Sequence, residues 1–115
     1  MKILIVDDRT NILDAMGRYL QDLGHDTLKA QFATDALHLL NMVSAIDLIV
    51  TDYSMPGGMN GIELAQEIRT RGFKMPIWLL SASNINEKMA EDAGIEKVFE
   101  KGTPEIFFAI KNFWK

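Results

Sequence analysis

The chain has 115 residues, no cysteine and a formal net charge of −4 at pH 7. Such a length predicts one domain over residues 1–115, because a chain of this size buries roughly two thirds of its unfolded surface in one core. Without cysteine, disulfides and thiolate chemistry are excluded. The acidic balance argues against nucleic-acid binding, which usually requires a basic stripe.

The sequence contains no apolar stretch suited to a leader or a membrane span. Its N-terminal apolar run covers only residues 3–6 and is followed by two acids, whereas a signal peptide needs roughly 7 to 15 apolar residues. Nowhere do apolar residues approach the roughly 20 that cross a bilayer. The sequence therefore predicts a cytoplasmic protein with no membrane partner.

Five strand-like segments alternate with five helix-like segments. Strands are predicted at residues 2–6, 25–31, 47–52, 76–80 and 97–100. Continuous apolar, β-branched runs are typical of strands that are buried on both faces of a parallel sheet. The polar second segment fits an edge strand, where charge discourages pairing with other chains. This alternation predicts an α/β fold with helices on both faces of the sheet.

Apolar residues at helical spacing predict four of the helices. In chain order these are Ile12, Met16, Tyr19, Leu20 and Leu23, then Ala36, Leu37, Leu40 and Val43, then Ile62, Ala65 and Ile68, and finally Ile106, Phe107, Ile110, Phe113 and Trp114. A weaker helix precedes the fifth strand. The predicted helix starts are Asp8 or Thr10, Asn60 with Glu63 in a capping box, Asn84 with Glu87, and Thr103 with Pro104. Gly24 and Gly94 follow as stop signals.

Polar side chains stand at the ends of four predicted strands. They are Asp7 with Asp8, Asp52, Ser81 and Lys101. Ligands of parallel sheets bind outside the carboxyl ends of the strands, and neighbouring strands lie only about 4.8 Å apart. Three carboxylates near one ammonium form an anionic pocket that suits Mg²⁺, which takes one or two carboxylates together with phosphate oxygens. Each residue also has an ordinary alternative, such as a helix cap for Asp8.

Together with Met55-Pro56 after Ser54, this set resembles the receiver domain of two-component response regulators over essentially the whole chain. The resemblance implies a doubly wound (βα)5 sheet with the flavodoxin-like strand order 2-1-3-4-5. It implies a signalling phosphoacceptor, not a turnover enzyme, in which Asp52 receives a phosphoryl group from a sensor histidine kinase or a phosphotransfer protein. Asp7, Asp8, Asp52 and the backbone carbonyl of Ser54 would hold Mg²⁺, while Ser81 and Lys101 would contact phosphoryl oxygens and a downstream protein or output domain would respond.

Three positions depart from the family pattern. Val98 stands three residues before the lysine, where the family usually has Tyr or Phe, and strand alternation predicts that the neighbouring Phe99 faces the other way. Gly102 follows Lys101, where the family commonly has proline after a cis bond. The loop at residues 55–61 is one residue longer than usual and contains two adjacent glycines.

Other functions stay open at this point. A degenerate receiver would act as an interaction module without phosphorylation, and Val98 and Gly102 leave room for it. A phosphohydrolase of the haloacid dehalogenase type needs a second acid two residues after the nucleophile, but Arg9 follows Asp7 and Ser54 follows Asp52 at that spacing. In a flavin-binding protein, the acids after the first strand would repel the phosphate.

Two further groups of charged or titratable residues are predicted to lie at the surface. Neither His25 nor His38 lies at the end of a predicted strand. Arg69, Arg71 and Lys74 cluster at the end of the third helix, where cations favour the helix dipole. We therefore expect a solvated helix end there and no phosphate site.

Overall fold

The computed structural model describes residues 1–113. Strands and helices alternate in the order β1 Lys2–Val6, α1 Thr10–Asp22, β2 Asp26–Ala30, α2 Ala33–Met42, β3 Leu48–Asp52, α3 Gly61–Thr70, β4 Ile77–Ser81, α4 Glu87–Asp92, β5 Lys97–Glu100 and α5 Glu105–Phe113. The five strands are parallel and lie in the order β2-β1-β3-β4-β5. This confirms the α/β fold and the strand order that the resemblance implied.

Two hydrophobic cores lie on opposite faces of the sheet. Because successive side chains of a strand point to opposite faces, Ile49 packs with the residues of α2, α3 and α4, and Val50 packs with those of α1 and α5. Every residue of β3 and of β4 is buried. The continuous apolar runs in these two central strands thus reflect helices on both sides.

The predicted strands agree with the structure to within one or two residues, and β2 is an edge strand as expected. The α3 capping box is confirmed: the side chain of Asn60 accepts a hydrogen bond from the backbone N–H of Glu63, and that of Glu63 accepts one from Asn60, both at 2.9 Å. Trp114, predicted for the buried face of α5, lies outside the described residues.

The predicted caps of α1 and α4 were wrong. Arg9 precedes α1 and makes no side-chain cap, so neither Asp8 nor Thr10 has that role. Asn86, not Asn84, caps α4, where its side chain accepts hydrogen bonds from the backbone N–H groups of Lys88 and Met89. α5 begins at Glu105, directly after Pro104. The Thr103 hydroxyl donates to the carbonyl of Glu100, and its role as a cap stays a prediction.

Surface predictions were right for His38 and wrong for His25 and Arg69. His25 is only 4% exposed, and its Nδ1 lies 2.9 Å from the N-terminal amine of Met1. Arg69 is partly buried at the end of α3. Its guanidinium donates hydrogen bonds to three backbone carbonyls, those of Phe73, Met75 and Gly94. Arg69 therefore joins the α3–β4 and α4–β5 loops.

Close packing at Gly61 fixes the start of α3 against the end of β3. A Cβ atom at this glycine would lie 2.5 Å from the carbonyl oxygen of Asp52 and 2.6 Å from Cδ1 of Leu79. In addition, the Gly61 N–H donates a 2.8 Å hydrogen bond to the carbonyl of Tyr53. Only a residue without a side chain allows this approach. The contact and the hydrogen bond together fix the backbone that follows Asp52.

Trp78 organises the face of the sheet that α5 covers. Its ring centroid lies 5.4 Å from that of Phe99 and 5.3 Å from that of Phe113, and Ile106 and Ile110 are buried nearby. Within residues 1–113, none of the helices has both the length and the apolar character that crossing a bilayer requires.

Candidate functional site

Parallel pairing brings the predicted polar residues to one edge of the sheet. Val6 of β1 is in register with Thr51 of β3, so that Asp7 and Asp52, each one residue further along, are neighbours. On the other side of β3, the end of β4 at Ser81 is in register with the end of β5, directly before Lys101. The structure thus collects side chains from four strand ends that are far apart in sequence.

Asp52 and Lys101 form the central ion pair of this site. Lys101 Nζ lies 2.8 Å from Asp52 Oδ2, and the two side chains are 20% and 3% exposed, respectively. Burial raises the pKa of Asp52, the hydrogen bond and charge of Lys101 lower it, and the charge of Asp7 raises it again, leaving the pKa above its ordinary value. The lysine therefore offsets only part of the cost of burying this carboxylate.

The three acids offer ligand atoms for one cation. A carboxylate oxygen from each of Asp7, Asp8 and Asp52 lies within 4.8 Å of the others. Oδ1 of Asp7 accepts a 2.9 Å hydrogen bond from the backbone N–H of Arg9, whereas Oδ2 is buried and has no hydrogen-bond partner among the described residues. A buried carboxylate oxygen without a partner is costly, and a hard divalent cation would satisfy it.

Ser81 is buried at the end of β4, and its hydroxyl is engaged by the loop that follows. It donates a hydrogen bond to the carbonyl of Ser83 at 2.9 Å and accepts one from the Ser83 N–H at 3.1 Å. Hydrogen bonding from the Ser54 backbone lowers the pKa of Asp52, which places Ser54 beside the phosphoacceptor candidate. The predicted role of the Ser54 carbonyl as a metal ligand stays a prediction.

Gly102 does not displace Lys101 from the site. Gly102 adopts φ +83°, and residues 1–113 contain no cis peptide bond, so the bond after Lys101 is trans. The Lys101 N–H donates to the carbonyl of Ser81 at 2.9 Å, and Lys101 Nζ reaches Asp52. Val98, a second position that differs from the family pattern, is 38% exposed. Phe99 packs against Trp78 on the opposite face, as predicted.

Arg9 and an apolar groove beside it were missed by the sequence reasoning. The groove has a volume of about 840 Å³, lies between α1 and α5, and reaches Arg9 and Lys101 at one end. Tyr19 and Phe107 also line it, with ring centroids 4.5 Å apart. Arg9 Nε lies 3.5 Å from Asp7 Oδ1. The only sequence signal was a cation directly after two acids.

The raised pKa of Asp52 predicts a pH-dependent stability difference. Because the folded state protonates this carboxyl at a higher pH than the unfolded chain does, Asp52 contributes less stability as the pH rises from about 3.9 through the folded pKa. Without metal, the free energy of unfolding of the wild type should therefore fall relative to that of Asp52→Asn over this window. Urea unfolding of both proteins in a chelating buffer measures the difference, and a constant difference would contradict the prediction.

Comparisons with known proteins agree with this geometry. Residues 3–106 match the family described as response regulator receiver domain. The Regulator of RpoS from Escherichia coli (strain K12) is 34% identical over 110 residues, which are 91% of this chain and 31% of that protein. The Chemotaxis protein CheY homolog of Campylobacter jejuni subsp. jejuni is 33% identical over 113 residues, covering 96% of this chain and 74% of that protein. The chain thus spans about a third of the length of the first of these relatives.

Solved structures have the same architecture. The response regulator protein TrrA from Thermotoga maritima, in complex with Mg(2+)-BeF, superposes with a TM-score of 0.82 at 28% identity and covers 96% of both chains. A response regulator receiver domain protein (CheY-like) from Methanospirillum hungatei gives a TM-score of 0.87 at 25% identity, over 97% of this chain and 91% of that chain. The likeness therefore extends over nearly the whole sheet and its helices.

Proposed function

Because the chain belongs to the response regulator receiver domain family, a component of two-component signalling, we propose that Asp52 accepts a phosphoryl group and so switches partner binding. The observation that carries the proposal is the 2.8 Å contact between Lys101 Nζ and Asp52 Oδ2, beside two further carboxylates. A carboxylate, a lysine ammonium and two further carboxylates thus lie together at one edge of the sheet, which supports the proposal. The assignment of residues 1–115 to one domain is part of the same proposal.

The chemistry needs little covalent assistance from the protein. A carboxylate oxygen of Asp52 forms the bond to phosphorus, the bond between phosphorus and the donor atom breaks, and an acyl phosphate results. Catalysis then consists of placing the groups in line and neutralising the phosphoryl oxygens. Lys101 supplies one positive charge at hydrogen-bond distance from Asp52. Ser81, on leaving Ser83, would donate its hydroxyl to another phosphoryl oxygen.

The residues present fit Mg²⁺. Asp7, Asp8 and Asp52 would provide carboxylate oxygens, and the backbone carbonyl of Ser54 would complete the protein ligands. Oδ2 of Asp7, buried without a partner among the described residues, is the structural feature that supports this assignment. When bound, the ion supplies positive charge for the phosphoryl oxygens beyond that of Lys101.

Mg²⁺ is expected to raise the melting temperature of the wild-type protein, because it binds the folded cluster and not the unfolded chain. At a concentration 100-fold above its Kd the gain in stability would be about 2.7 kcal/mol. In Asp8→Asn the shift should be much smaller, whereas the matched variant Asp35→Asn, at an exposed site on α2, should retain it. Thermal melts with and without Mg²⁺ test this, and equal shifts in Asp8→Asn and wild type would remove Asp8 from the site.

The proposed phosphodonor is a sensor histidine kinase or a phosphotransfer protein, and the proposed responder is a downstream protein or output domain. A self-limited acceptor of this kind is modified once per cycle and loses the group by autodephosphorylation, so it does not turn over many substrate molecules. A cytoplasmic location, without binding to nucleic acid or membrane, is part of this proposal.

Exposure of the wild-type protein to a small-molecule phosphodonor tests the function. With Mg²⁺ the intact mass should increase by one phosphoryl group, and a chelator should prevent the increase. If no adduct forms under either condition, the degenerate-receiver alternative is favoured. Release of many phosphate ions per protein molecule from phosphoesters would instead support a hydrolase.

A further inference from the structure

The apolar groove between α1 and α5 has no part in the proposed phosphoryl chemistry. This α1–α5 groove has a volume of about 840 Å³, within the range of about 300 to 1,000 Å³ that is typical of small-molecule sites. Asp8, Asp52 and Ser81 do not line it. Its apolar lining comprises Ile12, Met16, Leu80, Ala82, Ile106 and Phe107. The groove is therefore a second concave site beside the acidic cluster.

The apolar part of the groove suits an extended chain. It follows α1 from Arg9 to Tyr19, which is about 15 Å at a rise of about 1.5 Å per residue. Met16 and Ile106 are buried in the core below. At the Tyr19 end, the rings of Tyr19 and Phe107 lie with their centroids 4.5 Å apart. Tyr19 is 40% exposed, so an apolar chain in the groove would remove apolar surface from water.

The opposite end of the groove carries two cations and one acid. They are Arg9, Lys101 and Asp7. Lys101 is already paired with Asp52 at 2.8 Å. Arg9 is half-exposed and directs Nε to Asp7 at 3.5 Å, and neither of its Nη atoms has a hydrogen-bond partner among residues 1–113. The fork of a guanidinium matches a carboxylate with two parallel hydrogen bonds, so Arg9 can receive an incoming anion.

Both helices beside the groove begin at this charged end. α1 begins at Thr10 without a side-chain cap, and α5 begins at Glu105, directly after the groove wall formed by residues 102–104. A helix N-terminus carries partial positive charge. Asp7 opposes an anion, but it is 2% exposed and its Oδ1 accepts the Arg9 N–H. Charge complementarity therefore favours an anionic head group at this end and an apolar body along α1.

We propose that the α1–α5 groove binds a small anionic amphiphile of the fatty-acid type, with one carboxylate and an unbranched apolar chain. The carboxylate pairs with the guanidinium of Arg9, and the chain lies along Ile12 and Met16 toward Tyr19. A free molecule is favoured over an anionic membrane surface, because the net charge of −4 is repelled by such a surface. The inference goes beyond phosphoryl acceptance, since Asp52 does not line the groove.

Titration of the isotope-labelled chain with decanoate, in a chelating buffer and below micelle-forming concentrations, tests the proposal by backbone amide shifts. Decanoate should shift the amides of Ala15, Ala82 and Phe107 saturably. Shorter carboxylates should bind about threefold more weakly for each methylene removed. Decan-1-ol should bind about tenfold more weakly, because it cannot form the charge-assisted pair, and decyltrimethylammonium should not bind in the groove.

One pair of variants tests whether the chain lies in the groove. Ala15 is exposed on α1 and lines the groove, so Ala15→Trp should fill the groove and remove the saturable shifts. The matched control is Gln66→Trp, which adds the same indole at an exposed position of α3 outside the groove. This control should bind decanoate like wild type.

A second pair tests the head group and still decides if Ala15→Trp does not fold. Arg9→Gln should weaken decanoate about tenfold, because the bidentate pair is lost. Arg18→Gln removes the same charge from an exposed position of α1 that does not line the groove. It should stay within about twofold of wild type, since an exposed charge is screened by salt.

Asp52→Asn should bind decanoate at least as tightly as wild type, because it removes the partner of Lys101 beside the groove. Failure of this proposal and failure of the proposed function are therefore separate results. Absence of saturable shifts, shifts that map outside the groove, or equal affinity for decanoate and decan-1-ol would overturn the proposal. Equal weakening by Arg9→Gln and Arg18→Gln, or binding to phosphatidylglycerol vesicles without binding to free decanoate, would overturn it as well.

Discussion

Replacing Asp52 by asparagine is expected to abolish phosphoryl addition from a small-molecule donor in the presence of Mg²⁺. The amide keeps the size of the side chain but lacks the anionic oxygen that attacks phosphorus. It also removes one of the three carboxylates of the cluster. Intact mass measurement should show an adduct on the wild type and none on Asp52→Asn at the same donor concentration.

The matched control for this prediction is Asp35→Asn, which removes an exposed carboxylate from the first turn of α2. This variant should be modified to the same extent as wild type, since Asp35 lies outside the site. An adduct of equal size on Asp52→Asn would assign the phosphoryl group to another residue, and peptide mapping would identify it.

Arg69→Ala is expected to destabilise the fold by roughly 2 to 4 kcal/mol, because hydrogen bonds from a charged group contribute about 1.5 to 3 kcal/mol each and the loss leaves carbonyls unpaired. Arg69 Nη1 lies 3.0 Å from the carbonyl of Phe73 and 2.8 Å from that of Met75, and Nη2 lies 2.7 Å from that of Gly94. Urea unfolding measures the change. Arg69→Lys should recover only a part, because an ammonium lacks the planar fork of donors.

Arg71→Ala provides the matched control two residues away. Arg71 is exposed and makes one ion pair with Glu67 at 3.0 Å, in an i,i+4 arrangement. Such a pair contributes only about 0.3 to 0.5 kcal/mol. If both alanine variants lost the same stability, the loop-joining role of Arg69 would be wrong.

The sheet and the candidate site could be predicted because both follow from local patterns. Residues 48–50 and 77–80 are continuous apolar runs followed by polar residues, and burial on two faces requires such runs. Parallel pairing then brings the carboxyl ends of the strands to one edge of the sheet. Asp7, Asp52 and Lys101 meet there.

Helix starts were harder to predict, because several polar residues near a helix can accept the same backbone donors. Before α1 the carboxylate of Asp7 accepts the Arg9 N–H, which leaves the start of the helix without a side-chain cap. Before α4 two asparagines lie two residues apart. The second of them, Asn86, is the cap of α4.

The burial of His25 and Arg69 could not be predicted, since their partners come from distant parts of the chain. His25 meets the amine of Met1, 24 residues away. Arg69 meets the carbonyl of Gly94, 25 residues away, in addition to two carbonyls nearby. A cation at the end of a helix is usually solvated. The carbonyl of Gly94 comes within reach of Arg69 only in the folded chain.

The close approach at Gly61 leaves little free space on one side of Asp52. β3 is buried throughout, and α3 is seated against its end so tightly that no methyl group fits. This half of the pocket is closely packed. The opposite half consists of exposed segments around residues 82–84 and Gly102, and these have room to shift. A group added to Asp52 would therefore meet less close packing in these loops than at the start of α3.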